Sequence, residues 1–189
     1  VEDITDGELL VDGERMNETP SIDRDMAMIF KNGKLYPQMN IYDNLAFGLK
    51  LKELPIGEID ARIAEVTQVL NIGHLLDKMT EDLDEKERAL VVLGRAIVKK
   101  PKVFLLDEPF SSLSKELKKE MQELLWSLYE KMQITVVYVT HNSEDIRHTD
   151  TRVAVMNDGS VQQIGTIGEL YDNPATPYVS EFLGVPAEE

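Results

Sequence analysis

The run Val103-Phe104-Leu105-Leu106-Asp107-Glu108-Pro109 sets two carboxylates directly behind four apolar residues. A short apolar run of this kind reads as a strand buried on both faces, as in a parallel sheet. Ligands of open α/β sheets gather at the carboxyl ends of the strands. There an Asp can hold Mg²⁺ and a following Glu can orient a water. Alone the pattern is weak, because carboxylates often simply end a strand. A second apolar run, Thr135-Val136-Val137-Tyr138-Val139, leads into Thr140-His141, which would bring an imidazole to the same sheet edge. The two runs together are more specific than either. His74 and His148 have no such setting and read as surface or structural residues.

These groups need a sheet and helices to hold them, and the hydrophobic periodicity supplies both. Glu8 to Gly13 and Met26 to Phe30 read as strands ended by turn residues. From Ile41 to Val98 the period becomes helical: Ile59, Ile63, Val66, Val69 and Leu70 recur at spacings of three and four, and Ala89 to Val98 is largely apolar. Leu113, Leu117, Met121, Leu124, Leu125, Leu128 and Met132 keep one face of a long helix apolar, with charges on the other. Strand 103–106, this helix and strand 135–139 therefore form a right-handed crossover unit of an α/β sheet. Arg152 to Met156 and Ser160 to Ile164, joined by Asn157-Asp158-Gly159, read as a hairpin, and Ile167 to Leu183 as two short helices. The expected organisation is one α/β domain over 1–189, with a helical sub-domain at 38–98 and a half carrying both polar strand ends at 99–189.

Composition narrows the function. The chain has 189 residues, 42% hydrophobic and 29% charged, no cysteine, and 20 basic against 35 acidic side chains for a net charge of -15. A chain of this length can build a core without staples, and disulfides and Cys-based metal sites are excluded. The acidity argues against nucleic acid and anionic lipid, whose binding rests largely on Lys and Arg neutralising phosphates. The longest nearly apolar stretch, Ala89 to Val98, is interrupted by Arg95 and falls far short of the roughly 20 residues of a membrane helix. The opening residues carry no basic and apolar leader pattern, so a cytoplasmic location is expected.

Several motifs together resemble the nucleotide-binding subunit of ABC transporters, most closely the ATPases of carbohydrate importers of the maltose and glycerol-3-phosphate type. The resemblance runs over nearly the whole chain. It rests on Leu35-Tyr36-Pro37 with Tyr42 to Lys50, on Leu93-Gly94-Arg95-Ala96-Ile97, on Phe104 to Pro109, on Tyr138-Val139-Thr140-His141, and on Met156 to Gly159 with Gln163-Ile164-Gly165. It implies an α/β, partial P-loop NTPase-like core with a parallel sheet and a helical sub-domain, and ATP and Mg²⁺ as the family's cofactors. It also implies Asp107 as the Mg²⁺ residue, Glu108 as the catalytic glutamate and His141 as the switch histidine. The segment around Leu35, Tyr36 and Pro37 would face transporter membrane subunits, giving a cytoplasmic protein attached to the membrane through its partner.

The departures from the family pattern are as specific as the matches. The Gly-rich phosphate loop, with its strand and helix, should lie before Val1, and Gly33-Lys34-Leu35 does not supply it. Lys31 stands where the family has the Q-loop glutamine, Leu83-Asp84-Glu85-Lys86-Glu87 replaces the signature Leu-Ser-Gly-Gly-Gln, and Ser114 replaces the D-loop aspartate. Asp84 with Glu87 three residues on is a capping-box pattern suited to a helix start. Glu85 and Glu87 would repel a phosphate approaching that start. The expectation is a degenerate or redesigned scaffold that binds no cofactor, does not hydrolyse ATP and does not close a dimer around shared ATP. The alternatives are a fragment of an active importer ATPase and a non-catalytic docking module.

Overall fold

The structure, a computed structural model, describes residues 4–31, 33–132, 134–146 and 151–185; His148 lies outside them. The described chain forms two compact units, residues 1–139 and 140–189.

The first unit is built around a parallel sheet. Strands β1 (Leu10–Val11) and β2 (Glu14–Arg15) form a small antiparallel hairpin. Its turn residues Asp12 and Gly13 both have positive φ (52° and 79°), the geometry that matches strand twist in a two-residue hairpin loop. The strand expected over Glu8 to Gly13 is thus shorter, because its second half is spent on this turn. Strands β3 (Met26–Ile29), β4 (Val103–Asp107) and β5 (Thr135–Val139) then form a three-stranded parallel sheet in that order, with Ala27 level with Phe104 and Phe104 level with Val136.

Helices α1 (Ile41–Leu51), α2 (Ile56–Leu70) and α3 (Glu85–Ile97) fill the segment between β3 and β4, and α4 (Lys115–Met132) connects β4 to β5. Side chains of α1, α2 and α3 share one core with the sheet: Leu45, Ile63 and Leu93 are buried with Phe104 and Leu106. Helix α4 adds Met121, Leu125 and Leu128 to that core, and its Trp126 ring lies 5.9 Å from Tyr138 of β5. Val69, expected on the apolar face of α2, is 51% exposed; the helix turns Ile63, Val66 and Leu70 inward and leaves it on the far side.

Sheet burial corrects the sequence reading. Alternation places Ala27, Ile29, Phe104 and Leu106 on the face under the helices, all 3% exposed or less. On the opposite face Met28, Val137 and Val139 are 44%, 45% and 51% exposed. Strands β4 and β5 are therefore buried on one face, not two, because the helices between β3 and β5 that share the sheet's core pack on one side only. Apolar composition at Val137 and Val139 predicts a covered face, and nothing in the described residues covers it.

The second unit holds the antiparallel pair β6 (Arg152–Asn157) and β7 (Ser160–Thr166), with helices α5 (Ile167–Asp172) and α6 (Pro177–Leu183). Asp158 and Gly159 turn the hairpin with positive φ, and Val155, Leu170, Val179 and Leu183 make its core.

Candidate functional site

Asp107 ends β4 level with Val139 of β5 and is half-buried. Directly after it the chain turns: Glu108 has φ 45°, left-handed for a residue with a Cβ, a conformation that costs of order 1 kcal/mol and needs support from its surroundings. The support is visible. The Glu108 N–H donates to the Val139 carbonyl at 3.0 Å, and the Glu108 carbonyl accepts from the Ser111 N–H (3.2 Å) and hydroxyl (3.1 Å). The turn presents the Glu108 carboxylate to the Lys31 ammonium, which donates to Oε2 at 2.9 Å. Lys31 follows β3 as Glu108 follows β4, so the parallel register brings two residues 77 positions apart into an ion pair.

The segment Asp84 to Glu87 opens α3. Asp84 is the cap: its carboxylate accepts from the Glu87 N–H at 2.7 Å, and Glu87 accepts from the Asp84 N–H at 3.1 Å. Glu87 also accepts from Lys78 at 3.0 Å. The Lys78 hydrogen bond first, and the Asp84 N–H second, hold the Glu87 carboxyl below its ordinary range. Lys86 pairs with Glu120 of α4, and Glu85 is exposed. Ser114 caps α4, its hydroxyl accepting from the Leu117 N–H at 3.3 Å. Asp84, Lys86, Glu87 and Ser114 thus each have a local structural role at a helix start or between helices.

Leu35, Tyr36 and Pro37 divide between core and surface. Leu35 is buried, whereas Tyr36 and Pro37 are exposed. The Tyr36 ring lies 4.7 Å from that of Phe47 and 5.2 Å from the Arg95 guanidinium. Its backbone is held from α1 by fully buried Asn44, which accepts from the Tyr36 N–H at 2.8 Å and donates to the Tyr36 carbonyl at 3.1 Å. The same amide donates to the carbonyls of Met39 and Asn40. Tyr36, Phe47 and Arg95 border a groove of about 490 Å³. The sequence did not single out this groove, because its residues come from β3, the loop after it, α1 and α3.

His141 follows β5 by two residues, is exposed, and belongs to the second unit. There Thr140 donates to Asp145 at 2.7 Å and accepts from the Asn142 N–H at 3.0 Å. Among the described residues no helix is long and apolar enough to cross a membrane, and no group of three His, Asp or Glu side chains could hold a metal ion.

A parallel sheet that delivers Asp107 and Glu108 at the carboxyl end of its central strand, with helices packed against it, is the α/β core of a P-loop NTPase-like protein. Residues 1–111 match the profile of the ABC transporter family, and the chain belongs to that family. It is 42% identical over 187 residues to the oligosaccharides import ATP-binding protein MsmX of Bacillus subtilis (strain 168), covering 99% of this chain and 51% of MsmX. It is 41% identical to the uncharacterized ABC transporter ATP-binding protein YurJ of the same organism, covering 98% of this chain and 51% of YurJ. To the putative uncharacterized ABC transporter ATP-binding protein YcjV of Escherichia coli (strain K12) it is 42% identical, covering 99% of this chain and 52% of YcjV. The chain spans about half the length of these relatives.

Proposed function

We propose that this chain is an importer-type ABC ATP-binding domain that keeps the architecture without turning over ATP. The observation that carries this reading is the ion pair between Lys31 and Glu108. A general base needs its carboxylate aimed at the attacking water, and here an ammonium at 2.9 Å occupies that carboxylate. The start of α3 supports the same reading. A helix N-terminus can bind phosphate through its unpaired N–H groups, but here the Glu87 N–H is taken by Asp84, and Glu85 and Glu87 add negative charge. These residues do not fit a bound triphosphate, and Asp107 alone is a poor Mg²⁺ site, so no catalytic step is assigned to them.

The test is a thermal melt of the purified chain with and without millimolar Mg-ATP, beside a phosphate-release assay. The expected result is no shift and no turnover. A ligand at 100 times its dissociation constant would add about 2.7 kcal/mol, worth roughly 2–4 °C per kcal/mol for a chain of this size. Such a shift, or hydrolysis lost in Glu108→Gln, would restore the reading of an active ATPase fragment.

The exposure of Tyr36 favours a second, compatible reading: a docking module for transporter membrane subunits. Packing of the sub-domain accounts for buried Leu35 but not for an exposed proline and a tyrosine left at the rim of a groove. By similarity to MsmX the partner is the membrane part of an oligosaccharide importer. Co-purification with the membrane subunits that MsmX serves, lost in Tyr36→Ala, is the expected result; no association in either protein rejects docking.

A further inference from the structure

Asp-Gly occurs three times in the chain, as Asp6-Gly7, Asp12-Gly13 and Asp158-Gly159. All six residues are exposed, so the pairs differ in geometry and not in access to water. Two of them turn hairpins. Asp12 and Gly13 have φ of 52° and 79° between paired Val11 and Glu14, and Asp158 and Gly159 have φ of 47° and 75° between paired Asn157 and Ser160. The ladder on either side fixes the peptide bond between the two turn residues. The Asp12 carboxylate is moreover held by the Lys102 ammonium at 2.6 Å.

Asp6-Gly7 stands outside any ladder. Residues 4–9 enter no helix or strand, and β1 starts only at Leu10. Here the aspartate side chain folds onto the peptide that follows it: the Gly7 N–H donates to Asp6 Oδ1 at 2.8 Å. Among the described residues no other Asp-Gly nitrogen meets the carboxylate of its own aspartate. Oδ1 is bonded to Cγ, so the nitrogen already stands near the carbon that it would attack in closing a five-membered ring, a near-attack arrangement. Gly7 leaves the way open, since its φ is +90° and nothing lies within 4 Å of where a Cβ would be. Asn17 holds the segment in place: its amide donates to the Gly7 carbonyl at 3.0 Å and accepts from the Leu9 N–H at 2.8 Å.

We infer that Asp6 is a site of spontaneous backbone rearrangement, at which the Gly7 nitrogen closes on Asp6 Cγ to form a succinimide that water reopens to isoaspartate. The N–Cγ bond forms as the Cγ–O bond breaks, and the departing oxygen leaves as water with the carboxyl proton and the Gly7 amide proton. Water then adds to the ring carbonyl that came from the Asp6 main chain and breaks its bond to nitrogen. The chain now runs through Cβ and Cγ, with a free α-carboxylate beside it; attack at the other carbonyl restores aspartate. Nothing is oxidised or reduced, and water is the only co-reactant. The rearrangement adds one backbone atom between Asp6 and Gly7, which moves the Gly7 carbonyl off Asn17 and loosens the entry to β1.

The experiment ages the full chain in neutral buffer, folded and in denaturing urea, and follows each Asp-Gly pair by peptide mapping. Succinimide is read as the loss of one water. Isoaspartate is read as the methyl group taken up from S-adenosylmethionine in the presence of an isoaspartate carboxyl methyltransferase. In the folded chain Asp6 is expected to react at least as fast as in urea. Asp12 and Asp158 should be at least about tenfold slower than Asp6, because ring closure there requires the hairpin turn to open first. In urea the three sites should converge. Asp6→Glu should silence the first site alone, since its ring would need a sixth atom. The map also separates these sites from Asn32-Gly33, where ring closure would release ammonia instead of water. Equal rates at the three sites in the folded chain, or an Asp6 slower than in urea, overturns the inference. A lead of Asp6 that persists undiminished in urea also overturns it, by tracing the reactivity to sequence neighbours and not to the Gly7 hydrogen bond.

Discussion

Glu108 combines two features that act on each other: a left-handed backbone and a carboxylate pinned by Lys31. The Lys31 side chain is 56% exposed and that of Glu108 21%, so water screens the pair and its coupling should be modest, about 0.2–1 kcal/mol. A double-mutant cycle with Lys31→Gln and Glu108→Gln, followed by urea unfolding at low and at molar salt, should give a coupling in that range that shrinks as salt rises. A coupling of zero at low salt would mean that the pair does not hold in solution. Glu87 gives a pH signature instead. Its carboxyl is held below the ordinary 4.5 by Lys78 and then by the Asp84 N–H. The folded form therefore favours the ionised state, and its contribution is fully present above 4.5 and fades as pH falls through the lower folded value. Glu87→Gln should accordingly be less stable than the parent at pH 7. The difference should close as the melts are taken below pH 4.5, and a gap independent of pH would assign Glu87 a packing role.

Among the elements, α1 does the most to shape the groove, and it does so through Asn44. Every hydrogen bond that this amide makes goes to the backbone of 36–40. Asn44→Leu keeps the volume and strands the Tyr36 N–H, while the Tyr36 carbonyl keeps the Met39 N–H at 3.1 Å; the loss should cost about 1–3 kcal/mol. Tyr36 should then become more mobile, so the measurement pairs a urea melt with Tyr36 amide exchange. Faster exchange without loss of stability would mean that the loop, not the helix, carries the load. What the sequence made legible follows the range of the interactions. The α3 cap is local: Asp84 and Glu87 are three residues apart, and their types alone specify the reciprocal bonds. The apolar stripe of α4 and the Asp158-Gly159 hairpin turn are local in the same sense. The pairing of Lys31 with Glu108 is not, because it exists only through the parallel register of β3 with β4. The setting of Arg95 was equally hidden: it lies inside an apolar helical stretch and reads as an interruption, and only the fold sets it against Tyr36. The exposed face of β5 was misread for a related reason, since Val137 and Val139 state a preference for burial and cannot state what is present to bury them.

At the scale of the whole molecule, two opposed terms decide how copies of the chain behave toward one another. A net charge of -15 keeps them apart. Against this, one face of the parallel sheet exposes Met28, Val137 and Val139. An exposed apolar face is a template for association. Charge repulsion is long-ranged and screened by salt, with a Debye length of about 10 Å at 0.1 M and about 3 Å at 1 M; apolar contact is not screened. Self-association should therefore be weak at low ionic strength and grow toward molar NaCl, the reverse of a charge-driven contact. Val137→Thr with Val139→Thr keeps β-branched residues on the strand while removing much of the apolar surface, and should lower the association constant about tenfold at high salt. Sedimentation velocity over a concentration series at both ionic strengths measures this directly. If the double variant associates as strongly as the parent, the contact lies elsewhere on the surface; if association falls with added salt in both, a contact between opposite charges is responsible instead.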